Sequence, residues 1–257
     1  PGFKLRRQGN LTSGGFLDGA HWAYTELMTF FSNLKMQKKQ KIDRKGALYM
    51  AEQLTLTWIG HSCFKLDCGD YTIVFDPYED GYVPGLAPVR ETADAVFCSH
   101  EHSDHNGRET VTLKQDGVLS PFTITEIHTW HDDARGTKRG SNCIRIFDDG
   151  TYHVAHLGDL GCELESEQIE ALKGLDAVMI PVGGFYTIDA KQAKALIDQI
   201  QPRVTLPMHY RGEAFGYDVI GTLDEFTDLC DCVVEYAGNS IELNGEMLQQ
   251  VAVLKLK

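Results

Sequence analysis

The chain has 257 residues, 42% hydrophobic and 24% charged, an ordinary globular balance that excludes a collagen-like, low-complexity or wholly disordered protein and fits one large domain or two small ones. No stretch of about 18 apolar residues occurs, so no segment can cross a bilayer as a helix. The formal charge of −13 argues against a grip on DNA, RNA or an anionic membrane, all of which reward basic surfaces.

Charge divides the chain. Residues 1–50 hold nine Lys/Arg against three Asp/Glu, a net of +6, and residues 51–257 hold 15 against 34, a net of −19. The first segment opens loop-like, with Gly9, Asn10, Gly14, Gly15 and Gly19. Tyr24, Leu27, Met28, Phe31 and Leu34 then fall near helical spacing ahead of a basic run from Lys35 to Lys45. Such a stretch can lie on a membrane surface. The plainer reading, preferred here, is a basic N-terminal extension outside the core, with Met50 as an alternative start. The core domain is expected at 51–257.

From Leu54 to Ile59 apolar and polar residues alternate, which predicts a strand. Phe64–Leu66 and Tyr71–Phe75 predict two more, joined by a turn at Cys68-Gly69-Asp70. Ala93–Cys98 is a short apolar run typical of a buried strand. Further strands are expected at 122–128, 143–147 and 151–157, the last two joined at Asp148-Asp149-Gly150. A helix is expected over 166–173 with Ser166 as its cap. The run Ala177–Ile180 reads as a buried strand stopped by Pro181. Asp189 and Gln192 form a capping-box pattern ahead of Ala193, Leu196, Ile197 and Ile200 on one apolar face. Val204–Leu206 is a strand closed by Pro207, followed by a helix near 222–229 and strands near 232–236, 240–243 and 247–255. The seven cysteines are odd in number and include no C-x-x-C pair, which fits reduced thiols in a cytoplasmic protein.

Ten histidines are present, and three fall within His100-Glu101-His102-Ser103-Asp104-His105, directly after a predicted strand. In an extended segment His100 and His102 point the same way and can converge on one cation. Asp104 and His105 stand where the chain is expected to enter a helix, better placed for a second cation. Imidazole and carboxylate suit zinc and similar divalent ions. His131, Asp159 and His209 each lie in a loop following a strand, where a rigid scaffold can present them to the same site. His21, His128 and His153 read as solvated.

In this order, H-x-H-x-D-H, a His, an Asp after Gly and a final His, the pattern resembles the metallo-β-lactamase superfamily over about residues 54–257. Trp58-Ile59-Gly60-His61-Ser62, Phe75-Asp76-Pro77, His156-Leu157-Gly158-Asp159, Pro181-Val182-Gly183-Gly184 and Pro207-Met208-His209-Tyr210 narrow the resemblance. They are similar to the branch that includes ascorbate-6-phosphate lactonase and N-acylphosphatidylethanolamine phospholipase D.

The resemblance implies an α/β fold, a four-layer αββα sandwich with the metals at one edge. It implies His100, His102 and His131 on a first metal, Asp104, His105 and His209 on a second, and Asp159 bridging both. His128 competes with His131, which fits the branch pattern better. His61, Asp76 and His156 match positions beside the metals, and Cys162 stands where a His is expected. The implied cofactors are two divalent ions, zinc first, with manganese or iron as alternatives. The implied reaction is hydrolysis of a small ester, lactone or phosphodiester by a metal-bridging hydroxide, with Asp159, Asp104 and His61 as catalytic residues. Arg135, Lys138, Arg139, Tyr210 and Arg211 are candidates to face the substrate, and Gly183–Tyr186 a candidate cleft wall.

The expected partner is a small molecule rather than DNA or RNA, and a homo-oligomer is compatible. A nucleotide or nucleic-acid phosphodiesterase is the alternative enzyme, and a non-catalytic metal-binding protein the alternative without activity. Flavodiiron-type redox chemistry is disfavoured because His102 stands where that group resembles H-x-E-x-D, and no length remains for a flavin domain.

Overall fold

In the computed structural model, which describes residues 53–256 and a short strand pair ahead of them, the chain divides into two units, Pro1–Ala51 and Glu52–Lys257. In the first unit β1 (Gln40–Ile42) pairs antiparallel with β2 (Leu48–Met50). The amphipathic stretch expected at Tyr24–Leu34 lies outside the described residues.

The second unit begins with the predicted alternating strands, β3 (Leu54–Gly60), β4 (Cys63–Cys68) and β5 (Tyr71–Phe75), in antiparallel succession. The apolar run expected as one strand at Ala93–Cys98 is split at Asp94. Its first part, β6 (Glu91–Ala93), pairs with β8 (Val111–Leu113), and its second, β7 (Ala95–Phe97), pairs parallel with β5. The Asp94 side chain is the reason. It accepts from Thr72 N at 2.7 Å and from Lys114 Nζ at 2.8 Å, so this polar residue inside an apolar run ties the two pairs together.

After β9 (Thr123–Trp130), β10 (Ser141–Asp148) and β11 (His153–His156) the chain alternates strand and helix. Helix α1 (Ser166–Ala171) is followed by β12 (Ala177–Pro181), α2 (Ala190–Ile200), β13 (Val204–Met208) and the single turn α3 (Asp224–Thr227). The strands β14 (Val233–Glu235), β15 (Ser240–Leu243) and β16 (Gln250–Val253) complete the unit. The cap of α1 is Glu165, one residue before the expected Ser166, because Gln168 Oε1 reaches back to Glu165 N at 2.9 Å. For α2 the expected box forms: Asp189 Oδ1 accepts from Gln192 N at 2.9 Å, and Asp189 N donates to Gln192 Oε1 at 3.0 Å.

Pro207 does not close β13 but lies inside it. Met208 O accepts from Val182 N on the β12 side, so the neighbouring Pro207 nitrogen faces the opposite side. There β16 pairs only at Val204 and Thr205, and no ladder donor is required at Pro207.

Besides the two-stranded pairs β1-β2 and β6-β8, two larger sheets result, with strand orders β14-β16-β13-β12-β11-β10-β9 and β15-β3-β4-β5-β7. Their facing side chains share one core, in which Phe75 and Phe97 of the smaller sheet meet Phe147 of the larger at ring distances of 4.9 and 5.3 Å. The buried face of α2, Ala190, Ala193, Leu196, Ile197 and Ile200, joins that core. The α/β sandwich of facing sheets is therefore as expected.

All three described helices fall in the connections of the larger sheet. Among the described residues the outward side chains of the smaller sheet, Cys63 and Val74, are covered by Tyr78, Val83, Leu86 and Val89. That segment carries Pro77, Pro84 and Pro88, which do not permit a helix interior. No helix among the described residues is long and apolar enough to cross a membrane.

Candidate metal centre

The pairing fixes strand directions. In the smaller sheet β3, β5 and β7 run one way, and in the larger β9, β11, β12 and β13 run together. Every predicted metal residue follows the carboxyl end of one of these strands, His100–His105 after β7, His131 after β9, Asp159 after β11 and His209 after β13, and the neighbours His61 and Asp76 follow β3 and β5. Loops at that edge of an open α/β arrangement are where ligands are received.

Those loops converge. His100, His102 and His131 offer nitrogen atoms within 4.8 Å of one another; so do the donor atoms of His61, Asp104, His105 and His209, and a third set joins His100, His105 and Asp159. Asp159 is central. Its Oδ2 lies 3.1 Å from His105 Nε2, 3.2 Å from His209 Nε2, 3.3 Å from His131 Nε2 and 3.9 Å from His100 Nε2. Sequence reasoning placed His61 beside the metals; the structure puts its Nε2 3.5 Å from Asp104 Oδ2 and its ring 4.2 Å from that of His209, within the second donor set. The helix expected at Asp104 and His105 is absent. The segment is a turn closed by His105 N to His102 O at 2.8 Å, and this turn aims the two side chains inward.

The scaffold dictates which nitrogen the rings of His105 and His100 present. Asp76 Oδ2 holds His105 Nδ1 at 2.8 Å and Ser99 Oγ at 2.6 Å, while Asp76 Oδ1 accepts from Ser99 N at 2.6 Å. Ser99 Oγ in turn lies 3.0 Å from His100 Nδ1. His105 and His100 are thus left with Nε2 facing the pocket. His156 has no free nitrogen: Nδ1 accepts from Gly158 N at 3.1 Å, and Nε2 lies 2.9 Å from Ser62 O. It is a brace between loops and is not available to a metal. His128 is exposed on β9, with its carbonyl accepting from Gln168, so of the two competing histidines His131 is the one in the pocket.

Backbone strain gathers here. His61, Asp76 and His209 have φ of 51°, 42° and 54°, a region that non-glycine residues seldom adopt. Trp58 Nε1 donates to His61 O at 3.0 Å and helps hold that turn. Gly158, at φ 56°, leaves no space for a side chain, since a Cβ there would collide with Ser99 and Asn142. That close approach lets Asn142 Oδ1 accept from Asp159 N at 2.9 Å.

Burial, reinforced by His209, lowers the His61 pKa to about 4, and burial beside His105 lowers that of His100 to about 3, so both rings stay neutral and able to donate a lone pair. Burial would also lower His105, but Asp159 and Asp104 outweigh it and raise the group well above the usual range. Burial would raise Asp159, yet His105 and His209 hold it well below. The centre of the pocket is a place for positive charge.

Around the mouth the structure separates the substrate candidates. Arg139 lies with its Cζ 5.4 Å from the centroid of the Tyr186 ring, and its Nη2 donates to Phe185 O at 3.1 Å. Arg135 is exposed at φ 55°, and Lys138 pairs with Asp133 at 2.6 Å. Tyr210 is buried against Trp58, with ring centroids 5.5 Å apart, and Arg211 Nε is committed to Ile220 O at 2.8 Å; neither contact is with the histidine cluster. Two residues escaped sequence reasoning. Tyr217 places its hydroxyl 3.4 Å from Asp104 Oδ2 and its ring edge-on to His61, yet it lies in an irregular segment with no periodicity to mark it. Asp132 is buried and accepts from the backbone N–H groups of Ala134, Gly136, Lys138 and Arg139, which shapes the loop after His131. Burial opposes its charge, but those donors lower its pKa to about 2. Cys162, where the branch pattern expects a His, is partly buried outside these donor sets.

The facing sheets and the pocket at their shared edge define a metal-dependent hydrolase. The chain belongs to the beta-lactamase superfamily: the family model described as the Beta-lactamase superfamily domain matches residues 55–209. A UPF0173 metal-dependent hydrolase of Natranaerobius thermophilus is 26% identical over 230 residues, which cover 74% of this chain and 100% of the relative. A solved Thermotoga maritima protein of the metallo-beta-lactamase superfamily, for which zinc-dependent hydrolysis has been proposed, is 30% identical with a TM-score of 0.63 over 79% of this chain and 100% of its own. A metallo hydrolase of Ignicoccus hospitalis, 21% identical with a TM-score of 0.56 over 76% of this chain and 100% of its own, shares the fold.

Proposed function

We propose that the pocket holds two divalent cations and hydrolyses a small ester, lactone or phosphodiester. His100, His102 and His131 would hold one cation and Asp104, His105 and His209 the other, with Asp159 between them and His61 beside the second. The observation that carries this reading is the distribution of unpartnered atoms. Among the described residues, every buried side-chain nitrogen or oxygen without a hydrogen bond belongs to His61, Ser62, His100, His105, His131, Asp159 or His209. Buried polar groups are otherwise satisfied almost without exception, so a concentration of donors in one place is what a metal site requires.

Bound cations supply an acidified water and polarise the oxygen of the bond to be cut. The chain's own residues do the rest. Asp76 and Ser99 fix the rings of His105 and His100. Asp159 Oδ1, which has no partner, is the acceptor for the proton of the attacking water. Asp104 and His61 flank the other side, where the Tyr217 hydroxyl, which donates to Asp104 Oδ2, would turn to a substrate oxygen.

Imidazole and carboxylate ligands favour zinc and accommodate manganese or iron. Cys63, Cys98, Cys143, Cys162, Cys230 and Cys232 form no disulfide among the described residues, which supports a reducing compartment such as the cytoplasm.

Elemental analysis of the purified chain tests the reading. Two equivalents of divalent metal are expected, with turnover of generic lactones or phosphodiesters lost on chelation and restored by zinc. Both metal and turnover are expected to disappear in His131→Ala and Asp159→Ala. Turnover that persists in metal-free protein overturns it, and preference for nucleotide diesters in the same screen favours the phosphodiesterase alternative.

A further inference from the structure

Arg139 is a partly buried cation without a carboxylate. Arg90, Arg145 and Arg203 pair with Asp80, Glu126 and Asp176, whereas Arg139 forms no ion pair among the described residues. It is nevertheless fixed in three ways. Its backbone N donates to Asp132 Oδ2 at 2.8 Å, its Nη2 donates to Phe185 O at 3.1 Å, and its guanidinium lies over the Tyr186 ring. A guanidinium carries five N–H donors, and the carbonyl of Phe185 engages one of its nitrogens, leaving the others for a further acceptor.

The placement is beside the proposed centre. The next residue, Gly140, accepts from His131 N at 3.1 Å. On the other side the Tyr186 ring stands 6.1 Å from that of Tyr217, whose hydroxyl reaches Asp104. Phe185, 63% exposed, packs edge-on against Tyr186 at 4.8 Å and extends an aromatic shelf beneath the cation. In a segment of net charge −19, a held guanidinium above an apolar shelf is complementary to a small organic anion.

We propose that Arg139, seated on Tyr186, is a subsite for an oxyanion of the substrate, a carboxylate or phosphate separate from the bond that is hydrolysed. The inference rests on the hydrolytic reading for the identity of the neighbouring cluster, but its test does not require turnover. Calorimetric titration of the full chain, with its metal content measured on the same sample, compares phenylacetate and phenyl phosphate with neutral phenylacetamide. At least one anion is expected to bind about tenfold or more tighter than the amide. Arg139→Gln is expected to bring that ratio close to one and Arg139→Lys to keep part of it. Tyr186→Leu, which leaves the charge and removes its seat, is expected to reduce it. Which anion binds tighter distinguishes a carboxylate from a phosphate substrate. Equal binding of anions and amide by the parent overturns the proposal, as does a preference that survives Arg139→Gln, which would place the anion on the cations instead. Failure of the hydrolytic reading shows separately, as absent metal in the same sample.

Discussion

Asp76 receives three hydrogen bonds, from Ser99 N, Ser99 Oγ and His105 Nδ1, and its charge is sustained although it is buried. Burial would raise its pKa, but His156 and His105 bring it down to about 2. Asp76→Asn keeps the shape and, because Asn tolerates a left-handed backbone, also respects the φ of 42°. It replaces an acceptor with an N–H pair facing other donors. Metal affinity is expected to fall about 10–100-fold, measured by competition with a chromophoric chelator, with the far-ultraviolet dichroism unchanged. Much of this residue-scale chemistry was legible: the cluster His100–His105 is contiguous, and His131, Asp159 and His209 each sit at a strand end. The role of His156 was not, because its commitment to Ser62 O spans 94 positions that only the folded sheets bring together.

At the scale of elements, the loop Gly183–Asp189 shows how a helix start serves the mouth of the pocket. Gly183 and Asp189 form a bridge, Gly184 N donates to Ile188 O at 3.2 Å, and the Asp189 cap begins α2 directly beyond. Phe185 and Tyr186 are therefore displayed by a loop closed at its base. Asp189→Ala is expected to cost about 1 kcal/mol, read by chemical denaturation, and to loosen the seat of Arg139. The capping box was visible in sequence because its partners are three residues apart. The split at Asp94 was not, since an apolar run gives no sign that Thr72 and Lys114 will meet its one carboxylate. Nor was the outer cover of the smaller sheet, where prolines forbid a helix but leave the path of the chain open.

For the whole molecule, the core among the described residues is drawn from Leu54 to Leu254, and the strands of both large sheets belong to the second unit. Deleting residues 1–51 is expected to leave a folded, metal-binding protein with the parent's turnover, checked by a single cooperative thermal transition and by elemental analysis. The division of charge between the two segments is the sequence signal behind this expectation. The sandwich itself was legible through the resemblance more than through periodicity, because alternation predicts strands but not which strands become neighbours.

The donor sets draw on both layers: His100 and His105 come from the smaller sheet, while His131, Asp159 and His209 come from the larger. Ions seated there would act as a clasp, fastening two layers that are elsewhere joined by apolar packing and a few hydrogen bonds such as Arg145 to Cys98 O. Resistance to unfolding would then track the free ion concentration by mass action, and starvation for metal would weaken the architecture as well as silence the chemistry.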